Sequence, residues 1–199
     1  FRSVGRAADA GPADIALFAV KLWDTEESAT QLRPVVEKGG FVIPFQNGVE
    51  SVTRIGAILG KERVMGGAAY IAGRIAEPGV ILHTGTIARL RFGPVVPAQR
   101  SAAQAFHAAC QGAKIECELA EDIERVLWEK FVLLVAVSAT TAVSRKTIGV
   151  MRTDPDLRWL LETVMRETWA VGRKRGVKLA DDQVAKTLAQ ADAFTPDMR

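Results

Sequence analysis

Lys130 is the side chain in this sequence best placed to do acid–base chemistry. It heads an apolar run, Phe131-Val-Leu-Leu-Val-Ala-Val137. On a helix the residues three and four positions away are Val126, Leu127, Leu133 and Leu134, none of which can pair an ammonium. Burial among such neighbours disfavours the charged form and lowers a lysine's pKa, which makes the group a usable proton donor near neutral pH. The same pattern also describes an ordinary lysine whose stem covers apolar surface while its head reaches water or a distant carboxylate. Two more polar residues follow apolar runs: Lys21 after Asp14-Ile-Ala-Leu-Phe-Ala-Val20, and Asn47 in the turn Gln46-Asn47-Gly48 after Gly40-Phe-Val-Ile-Pro-Phe45. Ligands of open α/β sheets bind outside the carboxyl ends of strands, so both stand at binding positions. Read locally, they are equally a solvated strand end and a turn asparagine.

The remaining reactive residues point elsewhere. His83 reads as a strand residue, because no nucleophile or metal-ligand spacing surrounds it, and His107 sits on a surface helix. Cys110 and Cys117 are too few for a disulfide framework and lack the paired clusters of a structural zinc site, which suits a reducing cytoplasm. The 26 basic residues against 23 acidic ones are scattered apart from Arg145-Lys146 and Arg173-Lys174-Arg175, so nucleic acid is not an expected partner. The Arg173 cluster suits the carboxyl end of a helix that stops at Gly176. No apolar stretch reaches the roughly 18 residues that span a bilayer, and the amino end lacks a signal-peptide pattern, so no membrane partner is expected.

The elements that must position these residues fall into two kinds. A strand at Asp14–Val20, a helix from about Thr25 to Glu37 and a strand at Gly40–Phe45 make a βαβ unit with parallel strands. A helix from about Val49 to Leu59 and a strand near Val64 to Ala72 continue the parallel sheet. Gly79–Thr84 and Thr86–Phe92, separated by Gly85, read as a hairpin. Pro94 and Pro97 precede a helix from about Ala98 to Gly112, and Lys114–Glu118 closes this half as a short strand. Beyond it the strand signal disappears. Helices are expected over Glu121–Ser144, Asp156–Arg175 and Asp181–Asp192, the second punctuated by Asp154-Pro155 and Gly176 and the third capped by Asp181 or Asp182. Trp128, Trp159 and Trp169 fall at helical positions suited to packing. The fold class is α/β, with an α/β half at 1–120 and an all-α half at 121–199.

Taken in order, Ala13-Asp14-Ile-Ala-Leu-Phe-Ala-Val-Lys21, Gln46-Asn47-Gly48, Glu77-Pro78-Gly79-Val-Ile-Leu-His83-Thr-Gly85, Asp122-Ile123, Trp128-Glu-Lys130 and Thr141-Ala142 resemble the ketopantoate reductase family from about residue 12 onward. The resemblance implies an NADPH-dependent reduction of a 2-keto acid, 2-dehydropantoate or a related compound. It implies a Rossmann-type dinucleotide-binding domain followed by a helical substrate and dimerisation domain, with a homodimer among the assemblies it allows. Lys130 matches the family's general acid, Asn47 an asparagine at both nicotinamide and substrate, Lys21 a lysine at the cofactor, and Ala72 a position whose backbone touches the cofactor.

Three departures accompany the match. No G-x-G-x-x-G turn of the kind that seats a pyrophosphate occurs in these 199 residues. The family pattern also runs on past Arg199 to a substrate-binding serine and an active-site glutamate, so a fragment of a longer protein is expected, incomplete at both ends. Finally, the family's substrate-holding asparagines correspond here to Leu134, Ser138 and Ile148. Losing such donors changes which 2-keto acid fits. Ser138 could still bind substrate, or bond back to a preceding carbonyl. The replacements also motivate an alternative, a non-catalytic nucleotide-binding or oligomerisation member of the same fold; an opine-type dehydrogenase fits the Gln-Asn-Gly and Trp-Glu-Lys placement less well.

Overall fold

The structure, a computed structural model, describes residues 2–198. Two compact units divide the chain, one ending at Ile123 and the other beginning at Glu124.

In the first unit β1 (Ile15–Phe18), α1 (Thr25–Val36) and β2 (Phe41–Pro44) form a right-order βαβ unit, with Ile15 beside Phe41 and Phe18 beside Pro44 in parallel register. Gly40 is dictated by the close return of α1 to the sheet: a Cβ there would lie 2.1 Å from the Ala13 carbonyl oxygen. Helix α2 (Ser51–Leu59) follows. Residues alternate across β2, so Val42 joins Phe18, Ala29, Val36, Ile55 and Leu59 under α1 and α2, while Ile43 joins Met65, Phe92, Ala103 and Cys110 on the opposite face. A strand buried on both faces is what an apolar run without alternation requires.

The parallel sheet does not continue as expected. Among the described residues, the bridge Val42–Val64 and the bond from Met65 N to Val42 O, 2.9 Å, are the ladder links from β2 onward. The chain then enters β3 (Gly66–Glu77), which pairs antiparallel with β4 (Val80–Gly93); β5 (Glu116–Leu119) adds to β4 in parallel, with α3 (Arg100–Gly112) between them. The hairpin expectation is corrected accordingly. Gly79–Thr84 and Thr86–Phe92 are not its two arms but lie mostly within the single strand β4, and the turn is at Pro78-Gly79. Pro78 presets its own φ and Gly79 takes φ +84°, a combination a type II turn needs. Gly85, at φ +78°, instead marks an irregularity, where the partners jump from Ile71–Ala88 to Ala72–Thr84.

The second unit is helical: α4 (Ile123–Ser144, whose first residue closes the first unit), α5 (Ile148–Thr153), α6 (Pro155–Lys174) and α7 (Gln183–Asp192). Short α5 escaped the sequence reading. Asp154 caps α6, its carboxylate accepting from the backbone N–H groups of Asp156 and Leu157, both at 3.0 Å. Asp182 occupies the cap position of α7 without a side-chain capping bond and pairs instead with Lys186 at 2.9 Å. Trp128 is buried and Trp169 bonds the Ala180 carbonyl through its ring nitrogen at 2.9 Å, whereas Trp159 is 67% exposed and does not pack as expected. Helix α4 also corrects the statement that no apolar stretch suffices for a membrane span: by length and composition alone it is long and apolar enough, once Glu129 and Lys130 are counted within it. Its buried residues Val126, Trp128, Val132, Ala136, Val137 and Thr140 give the same composition a packing explanation.

Candidate functional site

In the first unit the candidate residues gather at the carboxyl ends of β1 and β2. The bond from Phe45 N to Phe18 O, 2.8 Å, carries the pairing to the end of β1 and one residue past the end of β2. Lys21 follows β1, exposed, at the start of the single 3-10 turn Leu22–Asp24 that leads into α1. Asn47 follows β2, also exposed, with Gly48 at φ +102° turning the chain toward α2.

Between them lies Gln46, buried, which the sequence reading mentioned only as part of a turn. Its Nε2 donates to Val20 O at 2.9 Å and to Thr25 Oγ1 at 3.0 Å, and lies 3.5 Å from Lys21 O. Its Oε1 accepts from Ser51 Oγ at 2.8 Å. Thr25 in turn donates to Leu22 O at 2.8 Å. One amide therefore ties the end of β1, the start of α1 and the start of α2 to the turn that carries Asn47. The available signal was a glutamine directly after an apolar strand, followed five residues later by a serine.

Ala72 is exposed on β3 at the point where the β3–β4 register breaks, and its carbonyl accepts from Thr84 Oγ1 at 3.3 Å. His83 Nε2, on β4, meets Ile87 O at 3.1 Å across the irregularity. With a carbonyl as its partner, that nitrogen carries the proton, so His83 is a strand residue engaged with backbone. Cys110 and Cys117 are free thiols within the α3–β5 core, and burial pushes the Cys110 thiol up, away from nucleophilic use.

In the second unit Lys130 is half-buried on α4, and burial pushes its ammonium below the usual lysine range. Ser138 lies two turns further along the same helix, so its hydroxyl is about 12 Å up the axis and rotated from Lys130 by roughly 80°. It is exposed, and among the described residues its hydroxyl makes no bond back to the helix; Thr140, Thr141 and Ser144 do that instead, at 2.7 Å to Ala136 O, Val137 O and Thr140 O. Leu134 is half-buried between the two levels. Ile148 is fully buried at the start of α5, where its N–H donates to Met198 O at 2.9 Å, so its side chain serves packing.

Comparison with known proteins identifies the family. The family profile described as "Ketopantoate reductase PanE/ApbA" matches residues 2–97, and its companion "Ketopantoate reductase PanE/ApbA C terminal" matches residues 122–199. The chain belongs to the ketopantoate reductase family. The matched ranges hold Lys21, Asn47 and Ala72 in one part and Lys130 and Ser138 in the other.

Among relatives, the 2-dehydropantoate 2-reductase of Caulobacter vibrioides is 29% identical over 185 residues, covering 93% of this chain and 61% of that protein. The uncharacterized oxidoreductase YkpB of Bacillus subtilis is 26% identical over 171 residues, covering 86% of this chain and 56% of its own length. The chain thus spans little more than half the length of the ketopantoate reductase relatives it matches. The crystal structure of 2-dehydropantoate 2-reductase from Porphyromonas gingivalis shares the fold, with a TM-score of 0.88 at 24% identity over 95% of this chain and 65% of that one.

Proposed function

We propose that this chain carries part of an NADPH-dependent reductase of 2-keto acids, with 2-dehydropantoate or a related compound as substrate and Lys130 as the general acid. The observation that carries this reading is the half-burial of Lys130, which pushes its ammonium below the usual lysine range. A lysine so adjusted can both neutralise charge on a carbonyl oxygen and release a proton to it.

The residues of the first unit fit the nucleotide in part. Lys21 offers an exposed cation and Asn47 an exposed amide at the carboxyl ends of parallel strands, where nucleotides bind in open α/β sheets. When bound, NADPH would supply the hydride for the carbonyl carbon. Lys21, Asn47 and the backbone at Ala72 are the groups that would hold it. In this reading Lys130 gives its proton to the carbonyl oxygen, and Asn47 and Ser138 are the substrate-binding residues. Leu134, in place of an asparagine, offers a substrate no hydrogen bond, which favours a more apolar 2-keto acid. A homodimer and a cytoplasmic location belong to the same reading.

Steady-state turnover of a panel of 2-keto acids with NADPH by the full-length protein, as wild type and as Lys130→Ala, tests the assignment. Unchanged turnover in the variant would sink it. A second reading, a non-catalytic member of the family, draws on Leu134 and the fully buried Ile148; tight nucleotide binding with no ketone reduced at any pH would favour it.

A further inference from the structure

We propose that Gln46 is a positioning residue, which sets Lys21 and Asn47 in the relative geometry that receives the nicotinamide nucleotide; the role rests on the reductase reading above. Gln46 is buried, with its amide committed to protein partners. That amide holds the two segments that carry the nucleotide-side groups, through Val20 O at 2.9 Å on one side and its own adjacency to Asn47 on the other.

The direction of every bond in this network is determined. A backbone carbonyl can only accept, so the Gln46 nitrogen must face Val20 O. Thr25 spends its proton on Leu22 O, 2.8 Å away, and so accepts from Gln46 at 3.0 Å. Ser51, at 2.8 Å, must then donate to Gln46 Oε1. A flipped amide would set oxygen against the oxygens of Val20 and Lys21, and no water is needed to complete the set. The site is buried on both the glutamine and the threonine, where a polar group without its partner is costly. Such a network has one low-energy arrangement, and the backbone at Lys21 and Asn47, both exposed, inherits its position from it.

Substitutions separate this role from plain structural support. Gln46→Glu keeps the shape but replaces the donor facing Val20 O with an oxygen that must stay protonated to bond, so its effect grows as pH rises and the carboxyl ionises. Thr25→Val removes one partner, Thr25→Ser restores it, and Ser51→Ala removes the other while leaving the donors in place. The experiment measures NADPH affinity by nicotinamide fluorescence, from mildly acidic to alkaline pH, together with amide hydrogen exchange at Lys21, Leu22, Asn47 and Gly48 against the core amide of Ile43. Binding about tenfold weaker in Thr25→Val, near wild type in Thr25→Ser, and falling with pH in Gln46→Glu is expected, with faster exchange at the four amides and unchanged exchange at Ile43. If Gln46→Glu does not fold, Thr25→Val against Thr25→Ser, with Ser51→Ala, still tests the role. Variants that bind NADPH as the wild type does, or a Gln46→Glu profile parallel to the wild type's, would overturn the positioning role while leaving the reductase reading intact. A full-length wild type that binds no NADPH would overturn the reductase reading, and the role with it.

Discussion

Gly172 of α6 leaves room for the indole of Trp128: a Cβ built on Gly172 would stand 2.8 Å from Trp128 Cε3 and 2.8 Å from Leu179 Cδ1. The bare backbone of one helix is therefore the surface on which the other helix, two residues before Lys130, is seated. Gly172→Ala is expected to destabilise the chain by about 1–3 kcal/mol through overpacking, despite the higher helix propensity of alanine. Urea unfolding followed by circular dichroism checks this, and a variant as stable as the wild type would show that the indole can move aside.

The depressed pKa of Lys130 has a definite sign in stability. Its folded value lies below the roughly 10.4 of a free lysine, so between the two the unfolded chain binds more protons and stability rises with pH. Below the folded value the cost of burying the charge is fully present. Unfolding free energies of the wild type and Lys130→Met, measured from about pH 7 to about pH 10.5, should therefore converge in the wild type's favour as pH climbs. Parallel curves would contradict the shift.

Asp192 behaves in the opposite sense. Arg158 grips it at 2.5 and 2.8 Å, tying α6 to α7, and this hydrogen bonding holds the carboxyl below the usual range. The contribution is present above the free carboxyl value near 3.9 and is lost as pH falls through the lowered folded value. Asp192→Asn should lower stability at neutral pH and so flatten the acid limb of the profile, which an acid titration monitored by circular dichroism would reveal.

Burial predicts a sharp contrast between two isoleucine positions. Ile43 is fully buried in the core beneath α3, and Ile43→Ala should cost about 2–5 kcal/mol. Ile75 and Ile81 face each other across the outer ribbon at 71% and 70% exposure, and threonine at either should change stability by less than about 0.5 kcal/mol. A large loss at Ile75 or Ile81 would mean that the ribbon is covered in solution.

What the sequence made legible was the part governed by neighbours along the chain. Helix α6 announced itself through Asp154-Pro155 and Gly176, and β1, α1 and β2 through apolar runs at βαβ spacing. The hairpin was misread because two glycines compete there: Gly85 interrupts the apolar pattern, but Pro78-Gly79 makes the turn, and only cross-strand register decides between them. Six-residue α5 has too few turns to show a period. Gln46 was illegible as a clamp because Val20, Thr25 and Ser51 arrive from three separate segments. Trp159 shows the converse limit, since a helical position says nothing of what lies opposite.

Residues 71–88 of the ribbon are all exposed, and β5 supports β4 only from Arg89 inward. A cut after Arg74 would therefore sever the chain without parting it, because Gly66–Ile71 would stay zipped to Ala88–Gly93. The tip at Pro78-Gly79 is by the same logic a permissive splice point. An epitope or a fluorescent peptide inserted there would leave both cores of the first unit untouched and give this protein a handle remote from its buried glutamine.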